Sequence, residues 1–249
     1  MRSCYNCPMR ILLVSDIHSN LDALDAVVTD AASNGDIDGV WCLGDIVGYG
    51  PEPMACLERL WGLGALSIMG NHDGGAVGNV SLRTFNPIAA EACRWTARQL
   101  TDEAKRYLES LPQRLTEGPF TLVHGTPNDP IWEYLVSYSQ AEAAWNAIDT
   151  STLLVGHSHL PFVCQEGQPM ERDLEHGQHI SIDGRRLAIN AGSVGQPRDG
   201  DPRAAYAVYD GTTETVELRR VAYDVRPTQR RMAEAGLPEP LISRLSVGR

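Results

Sequence analysis

Ala65-Leu66-Ser67-Ile68-Met69 runs directly into Gly70-Asn71-His72-Asp73. An apolar run of five residues reads as a short buried strand, and a polar cluster is an expensive thing to place at its end. Taken alone, Gly70 to Asp73 is a turn, because Gly, Asn and Asp all favour turns. The preceding chain repeats the arrangement. Arg10 to Val14 is an apolar run that ends in Ser15-Asp16-Ile17-His18, and Val40 to Leu43 ends in Gly44-Asp45. Between these runs lie two helical patterns. In the first, Ser19 or Asn20 can cap, Leu21, Leu24, Val27, Val28 and Ala31 share a face, and Asn34-Gly35 stops the helix. The second starts near Pro53 and carries Met54, Leu57, Leu60 and Trp61. The order β-α-β-α-β predicts a parallel sheet with both faces covered. In such sheets the ligand site lies beyond the carboxyl ends of the strands. Asp16, His18, Asp45, Asn71 and His72 would therefore share one edge.

The pattern continues downstream. Helical segments are expected from Pro87 and over Asp102 to Leu111, and nothing in their spacing suggests more than core faces. Phe120 to Val123 is an apolar run ending in His124-Gly125. A helix follows over Ser139 to Ile148, with Ser139 and Glu142 spaced as a capping box. Thr152 to Val155 then ends in Gly156-His157-Ser158-His159. From Pro161 the periodicity shortens to strands at Phe162 to Gln165, Gln178 to Ile182, Arg186 to Asn190, Ala204 to Tyr209 and Thr215 to Val221. Asp183-Gly184 and Asp210-Gly211 between them are hairpin signals, so antiparallel sheet is expected, then a helix near Asp224 to Ala235. No linker, charge run or repeat splits the chain. A single domain over residues 9–235 is expected, with residues 1–8 and 236–249 as loosely ordered extensions.

Composition bounds the function. The 249 residues carry a formal net charge of −11. An acidic surface repels polyanions, which argues against extended nucleic acid as a partner, whereas a bound cation can still draw in a small anionic substrate. No apolar run approaches the ~20 residues of a membrane helix. The run Ile11 to Val14 is too short for a signal peptide, which makes the cytoplasm the expected compartment. Of six cysteines, Cys42 and Cys93 read as small core residues, and Cys4-x-x-Cys7 lacks the second half of a zinc site.

Five of the seven histidines, His18, His72, His124, His157 and His159, follow predicted strands; His176 and His179 read as surface residues. One histidine after a strand is ordinary. Five, with Asp16, Asp45 and Asn71 on equivalent ends, demand a cation, because buried charges are costly unless paired or ligated. Imidazole with carboxylate suits Mn²⁺, Fe or Zn²⁺. The donors exceed the four of one tetrahedral zinc and fit two divalent ions sharing a bridge. Two metals about 3.5–4 Å apart serve in-line displacement at phosphorus, which implies phosphoester hydrolysis by a metal-activated hydroxide.

Asp16-Ile17-His18, Gly44-Asp45, Gly70-Asn71-His72-Asp73, His124-Gly125 and Gly156-His157-Ser158-His159 resemble, in order, the five blocks of the calcineurin-like metallophosphoesterases. Asn190-Ala191-Gly192-Ser193-Val194-Gly195 is similar to a further block of the family's small prokaryotic phosphodiesterase branch. The resemblance implies an αββα sandwich of two mixed sheets flanked by helices. It also implies roles. Asp16, His18 and His159 would bind one metal; Asn71, His124 and His157 the other; Asp45 would bridge. His72 would meet the phosphoryl group and protonate the leaving oxygen, with Asp73 orienting it and raising its pKa.

One departure bears on substrate. The family's protein phosphatases and symmetrical dinucleotide tetraphosphatases carry an Arg after the Gly-Asp block, where this chain has Tyr49. Arg198 is a candidate replacement for phosphate binding, against a plain reading as a surface Arg paired with Asp199 or Asp201. The expected activity is hydrolysis of small phosphodiesters or nucleotide-like phosphomonoesters. A protein Ser/Thr phosphatase is the alternative that Tyr49 weakens. A non-catalytic interaction module, like the retromer scaffold subunit that resembles this family, is weakened by the intact site positions. Oligomeric state is not legible.

Overall fold

The computed structural model describes residues 9–249; the Cys4-x-x-Cys7 pair and the expected extension at residues 1–8 lie outside them. Strand β1 (Arg10–Val14) leads into helix α1 (Leu21–Ser33), β2 (Gly39–Cys42), α2 (Pro53–Gly62), β3 (Leu66–Ser67) and α3 (Asn71–Val77). Helices α4 (Pro87–Gln99) and α5 (Asp102–Ser110) precede β4 (Arg114–Glu117), β5 (Phe120–Val123), α6 (Tyr138–Trp145) and β6 (Thr152–Val155). Five strands follow: β7 (Phe162–Gln165), β8 (Gln178–Ser181), β9 (Leu187–Asn190), β10 (Ala204–Asp210) and β11 (Thr215–Val221). Helices α7 (Val225–Glu234) and α8 (Glu239–Ser243) come last.

Two mixed sheets stack face to face, in strand orders β3-β2-β1-β10-β11-β8 and β4-β5-β6-β9-β7. The late antiparallel run does not form a sheet of its own. It is dealt out to both: β10 pairs antiparallel with β1, while β9 pairs parallel with β6. The alternation along each strand explains the layering. Ile11 and Leu13 of β1 point between the sheets, where they join Trp41, Phe120, Leu122 and Leu154. Leu12 and Val14 point outward to Leu24, Val27, Leu57 and Leu60 of α1 and α2. On the second sheet Val123, Leu153 and Val155 face Ala141, Ala144 and Trp145 of α6. The result is the expected αββα sandwich. Each fully buried aliphatic side chain contributes roughly 1.5–3 kcal/mol relative to exposure, so three such cores hold the two sheets in fixed relation.

β1, β2 and β3 run parallel in one sheet, and β5, β6 and β9 run parallel in the other. Their carboxyl ends therefore meet at one edge of the sandwich. Loop hydrogen bonds tie those ends together: Asp16 N–H to Gly44 O (3.0 Å), His18 N–H to Asp45 O (3.0 Å) and Gly195 N–H to Asp16 O (3.0 Å).

Several local expectations are corrected. The third strand spans two residues rather than Ala65 to Met69, because the Met69 N–H leaves the sheet for Pro112 O (2.8 Å). The stretch after Gly70, which taken alone reads as a turn, is α3. Helix α6 begins earlier, capped by Ser137, whose Oγ accepts from the Gln140 N–H (3.3 Å). The edge strand β4 was not anticipated, since its residues are largely polar and it is half solvated. The tail, expected to be loose over 236–249, forms α8 and buries Leu237, Leu241, Ile242 and Leu245 beside Met232. Pro238 and Pro240 signalled disorder but serve the start of that helix, where the missing N–H costs nothing. No helix among the described residues is long and apolar enough to cross a membrane.

Candidate metal centre

Among the described residues eight non-glycine residues have positive φ, and seven of them, Asp16, His18, Ser19, Asp45, Tyr49, His157 and His159, lie in the loops at this edge. The left-handed region costs roughly 1–2 kcal/mol per non-glycine residue, so the surrounding packing sustains strain that regular turns would avoid. Close backbone approach is the second local requirement. A Cβ on Gly70 would stand 2.1 Å from Asp45 Oδ1 and 2.3 Å from its backbone nitrogen.

The strain and contact gather the predicted donors into two groups. Asp16, His18, Asp45 and His159 form the first; Asp45, His124 and His157 form the second; within each, one ligand atom per residue lies within 4.8 Å of all the others. Asp45 Oδ2 stands 3.6 Å from His18 Nε2 and 3.3 Å from His124 Nε2, and thus faces both. Asp45 Oδ1 accepts from the His72 N–H (2.8 Å), which fixes the carboxylate plane. Asn71 Oδ1 is 3.2 Å from His124 Nε2, on the second group. In the first group His18 Nε2 and His159 Nε2 face each other at 3.0 Å, and Asp16 Oδ1 is 3.2 Å from His159 Nε2.

Second partners orient the rings. His124 Nδ1 meets Leu43 O (2.8 Å), His159 Nδ1 meets Gln196 O (2.5 Å) and His18 Nδ1 meets Val47 O (3.3 Å). A ring nitrogen against a carbonyl must carry the proton, which leaves the Nε2 lone pair for the site. His157 is reversed: its Nε2 meets Trp132 O (3.3 Å), leaving Nδ1. Asp16 Oδ2 accepts from Ser15 Oγ (2.7 Å) and the His157 N–H (3.1 Å), while its Oδ1 is buried with no hydrogen-bond partner. A buried carboxylate oxygen without a hydrogen-bond partner, facing imidazole lone pairs, is suited to ligate a cation, and the mixed donor set fits a divalent metal.

Electrostatics agree. Burial opposes the charge of Asp16, but His159 and His124 outweigh it and hold the carboxyl below its ordinary range. Burial likewise opposes charge on Asp45, and His124 and His72 again prevail. Burial lowers His18 and His159, and pushes His157 down to about 3, so these rings stay neutral, the form that ligates. His124 departs from this pattern: burial works against its protonation, yet the Asp45 charge raises it to about 9, and a cation bound at Asp45 would displace that proton.

His72 and Asp73 do not form the expected pair. Asp73 caps α3: Oδ2 accepts from the Gly70 N–H (3.0 Å) and Oδ1 from the Val47 N–H (3.1 Å). Burial, then Asp45, raises its carboxyl to about 7. His72 Nδ1 is buried without a partner, and burial pushes the ring down to about 4. Asp73 therefore positions the start of the helix that carries Asn71 and His72, rather than orienting the imidazole. The expectation failed because adjacency in sequence does not place side chains together: consecutive residues on a helix point in different directions.

Above the donors lies a cavity of about 210 Å³, walled by His72, Phe85, Trp132, Tyr134 and Arg198. Tyr49 packs its ring on His72 (4.2 Å between centroids) and His18 (4.6 Å). Arg198 is not a surface Arg paired with Asp199 or Asp201; those carboxylates take Arg220 and Arg203 instead. Its Cζ sits 6.0 Å from the Tyr49 ring centre. His176 and His179 are exposed, as expected. Tyr134, stacked on His157 at 4.1 Å, and Gln196 carried no sequence signal: both reach the site from irregular loops, where no periodicity reports position.

The calcineurin-like phosphoesterase superfamily domain model matches residues 9–214. A metallophosphoesterase from Sphaerobacter thermophilus has 44% sequence identity and a TM-score of 0.89, covering 98% of this chain and 100% of that one. An uncharacterized protein of Methanocaldococcus jannaschii is 40% identical over 245 residues, spanning 96% of this chain and 98% of its own. A symmetrical bis(5'-nucleosyl)-tetraphosphatase of Dechloromonas aromatica is 30% identical over 131 residues, covering 47% of this chain and 43% of that enzyme. With the donor edge, the two-sheet sandwich and full-length similarity in agreement, the chain belongs to the calcineurin-like phosphoesterase superfamily and is a phosphoric ester hydrolase.

Proposed function

We propose that the protein hydrolyses small phosphodiesters or nucleotide-like phosphomonoesters at two divalent cations bridged by Asp45. The observation that carries this reading is the Asp45 carboxylate, whose Oδ2 faces both His18 Nε2 and His124 Nε2. Asp16, His18 and His159 would hold one ion, Asn71, His124 and His157 the other. Manganese, iron and zinc all suit this imidazole, carboxylate and amide set. Such ions, when bound, supply Lewis acidity at a phosphoryl oxygen and an activated water. The chain's own residues do the rest. His72, neutral and walled in by Tyr49 and Phe85, donates a hydrogen bond toward the phosphoryl group from the cavity floor. Arg198, on the cavity wall, supplies positive charge for substrate phosphate, and Phe85, Trp132 and Tyr134 keep water from the reacting group.

The wall of aromatic residues favours a small substrate over a folded phosphoprotein. Relatives named as symmetrical bis(5'-nucleosyl)-tetraphosphatases bring nucleoside polyphosphates into the range to be tested. A reducing, cytoplasmic setting fits the four free buried thiols at Cys42, Cys56, Cys93 and Cys164. The test is turnover of bis-p-nitrophenyl phosphate, p-nitrophenyl phosphate and a nucleotide panel with Mn²⁺, Fe²⁺ or Zn²⁺. Hydrolysis should require metal, and His72→Ala should retain metal while losing most activity. No turnover with any of these metals would sink the reading.

A further inference from the structure

The cleft extends beyond the metal centre on its arginine side. The cavity over the donors shares Tyr49 and Asn86 with a second, open cavity of about 620 Å³, whose far wall is Pro240, Leu241 and Arg244. Arg198 borders the first cavity and Arg244 the second. Gln196 joins them. Its Oε1 accepts from Arg198 Nη2 (3.0 Å) and from Arg244 Nη1 (3.2 Å), while its backbone carbonyl holds His159 Nδ1 (2.5 Å).

Two guanidinium groups thus share one neutral oxygen. Among the described residues no Asp or Glu side chain forms an ion pair with either, although the chain carries a net charge of −11 and the neighbouring Arg203 and Arg220 are both paired. Arg244 Nε donates in addition to the Arg249 backbone oxygen, and like charges brought together repel, more so where water is partly excluded. Burial, then Arg198, weakens the hold of Arg244 on its proton. Arg198 Nε is buried and bonds nothing. A site in this state gains most from an arriving anion. The group under attack already has the donor edge and His72. Two further cations leading away from it exceed what one phosphate needs.

We propose that Arg198 and Arg244 form a second anion subsite, so that the preferred substrates carry at least one more phosphate group beside the one hydrolysed. Ile88, Pro240 and Leu241 line the outer cavity and would receive the uncharged remainder, such as a nucleoside. Arg244 lies beyond the residues 9–214 that the family model matches, so the C-terminal segment contributes one of the two cations of this subsite. The inference rests on the phosphoesterase reading of the centre.

The experiment measures inhibition of bis-p-nitrophenyl phosphate hydrolysis (or of p-nitrophenyl phosphate, whichever is turned over) by ATP and by AMP, with free Mn²⁺ held constant. The two inhibitors share a nucleoside and differ in phosphate number. In the wild type ATP should inhibit at a concentration about 10- to 100-fold lower than AMP, the range of one or two charge-assisted hydrogen bonds. In Arg244→Gln that ratio should fall to about twofold, and Arg244→Lys should recover part of it, since charge returns without the planar fork. A wild-type ratio near one overturns the subsite whether or not the variants fold. An unchanged ratio in a folded Arg244→Gln overturns it too. A wild type that cleaves neither chromogenic ester defeats the phosphoesterase reading itself, a separate failure.

Discussion

Gly70→Ala should cripple the centre without touching a donor. The added Cβ would lie 2.1 Å from Asp45 Oδ1, 2.3 Å from Asp45 N and 2.7 Å from Asp45 Cγ. Ordinary carbon contacts begin near 3.5 Å, so the Asp45 carboxylate must retreat by about 1 Å or more. It cannot do so freely, because Asp45 Oδ1 also holds the His72 N–H at 2.8 Å. Overpacking of this kind costs about 1–3 kcal/mol of stability, and a 1 Å misplacement of a reacting group costs on the order of 10²-fold in rate. The control is Gly62→Ala at the end of α2, where a Cβ would meet nothing within 4 Å and a gain of up to about 1 kcal/mol is expected. Urea unfolding and kcat/KM on bis-p-nitrophenyl phosphate would be measured for both. Wild-type stability and activity in Gly70→Ala would refute the close-approach argument. Equal losses in the two variants would refute its specificity.

On the proposed two-ion reading, Asp45→Asn should reduce bound metal from two ions per chain to one or fewer, read by elemental analysis after gel filtration, because the shared carboxylate charge is lost from both groups. Metal-free protein should lose stability as pH falls from 7 to 5. His72 and His157 sit at about 4 and about 3 in the fold, and His18 and His159 are also lowered, so the unfolded chain binds protons first below about 6.5. Asp73, raised to about 7, and His124, raised to about 9, work in the opposite sense but are two groups against four. A melting temperature that rises between pH 7 and 5 would contradict this balance. Cys93 and Cys164 are pushed up to about 12 and about 11 by burial, and Cys42 and Cys56 are raised as well. With Cys4 and Cys7 replaced by Ser, the native protein should therefore give no fast reaction with an aromatic disulfide reagent, and unfolding in guanidinium should release all four thiols.

The sandwich and the donor set were legible because both rest on local regularities. Short apolar runs alternating with helical periodicity imply parallel strands, and parallel strands must deliver their carboxyl ends to one edge. Asp16, His18, Asp45, Asn71, His124, His157 and His159 could thus be picked out before their distances were known. The distribution of the last five strands between two sheets was not legible, since hairpin signals report that strands turn and not which sheet receives them. Helix α8 was missed because its prolines read as breakers, while the burial of Leu241 and Leu245 depends on packing against Met232 of α7, which no local periodicity reports.

Gly70-Asn71-His72-Asp73 shows the division most sharply. Sequence alone determined that these residues end a strand at a polar edge in company with four other histidines. Tertiary structure decided what each does there: Gly70 makes room for Asp45, Asn71 meets His124, His72 faces the cavity, and Asp73 caps the helix. The same holds for Arg198 and Arg244, which are 46 positions apart in the chain yet share Gln196. Backbone periodicity encodes which edge a residue reaches. The direction of a side chain, and the charge it meets there, depend on packing between segments that the sequence does not place side by side.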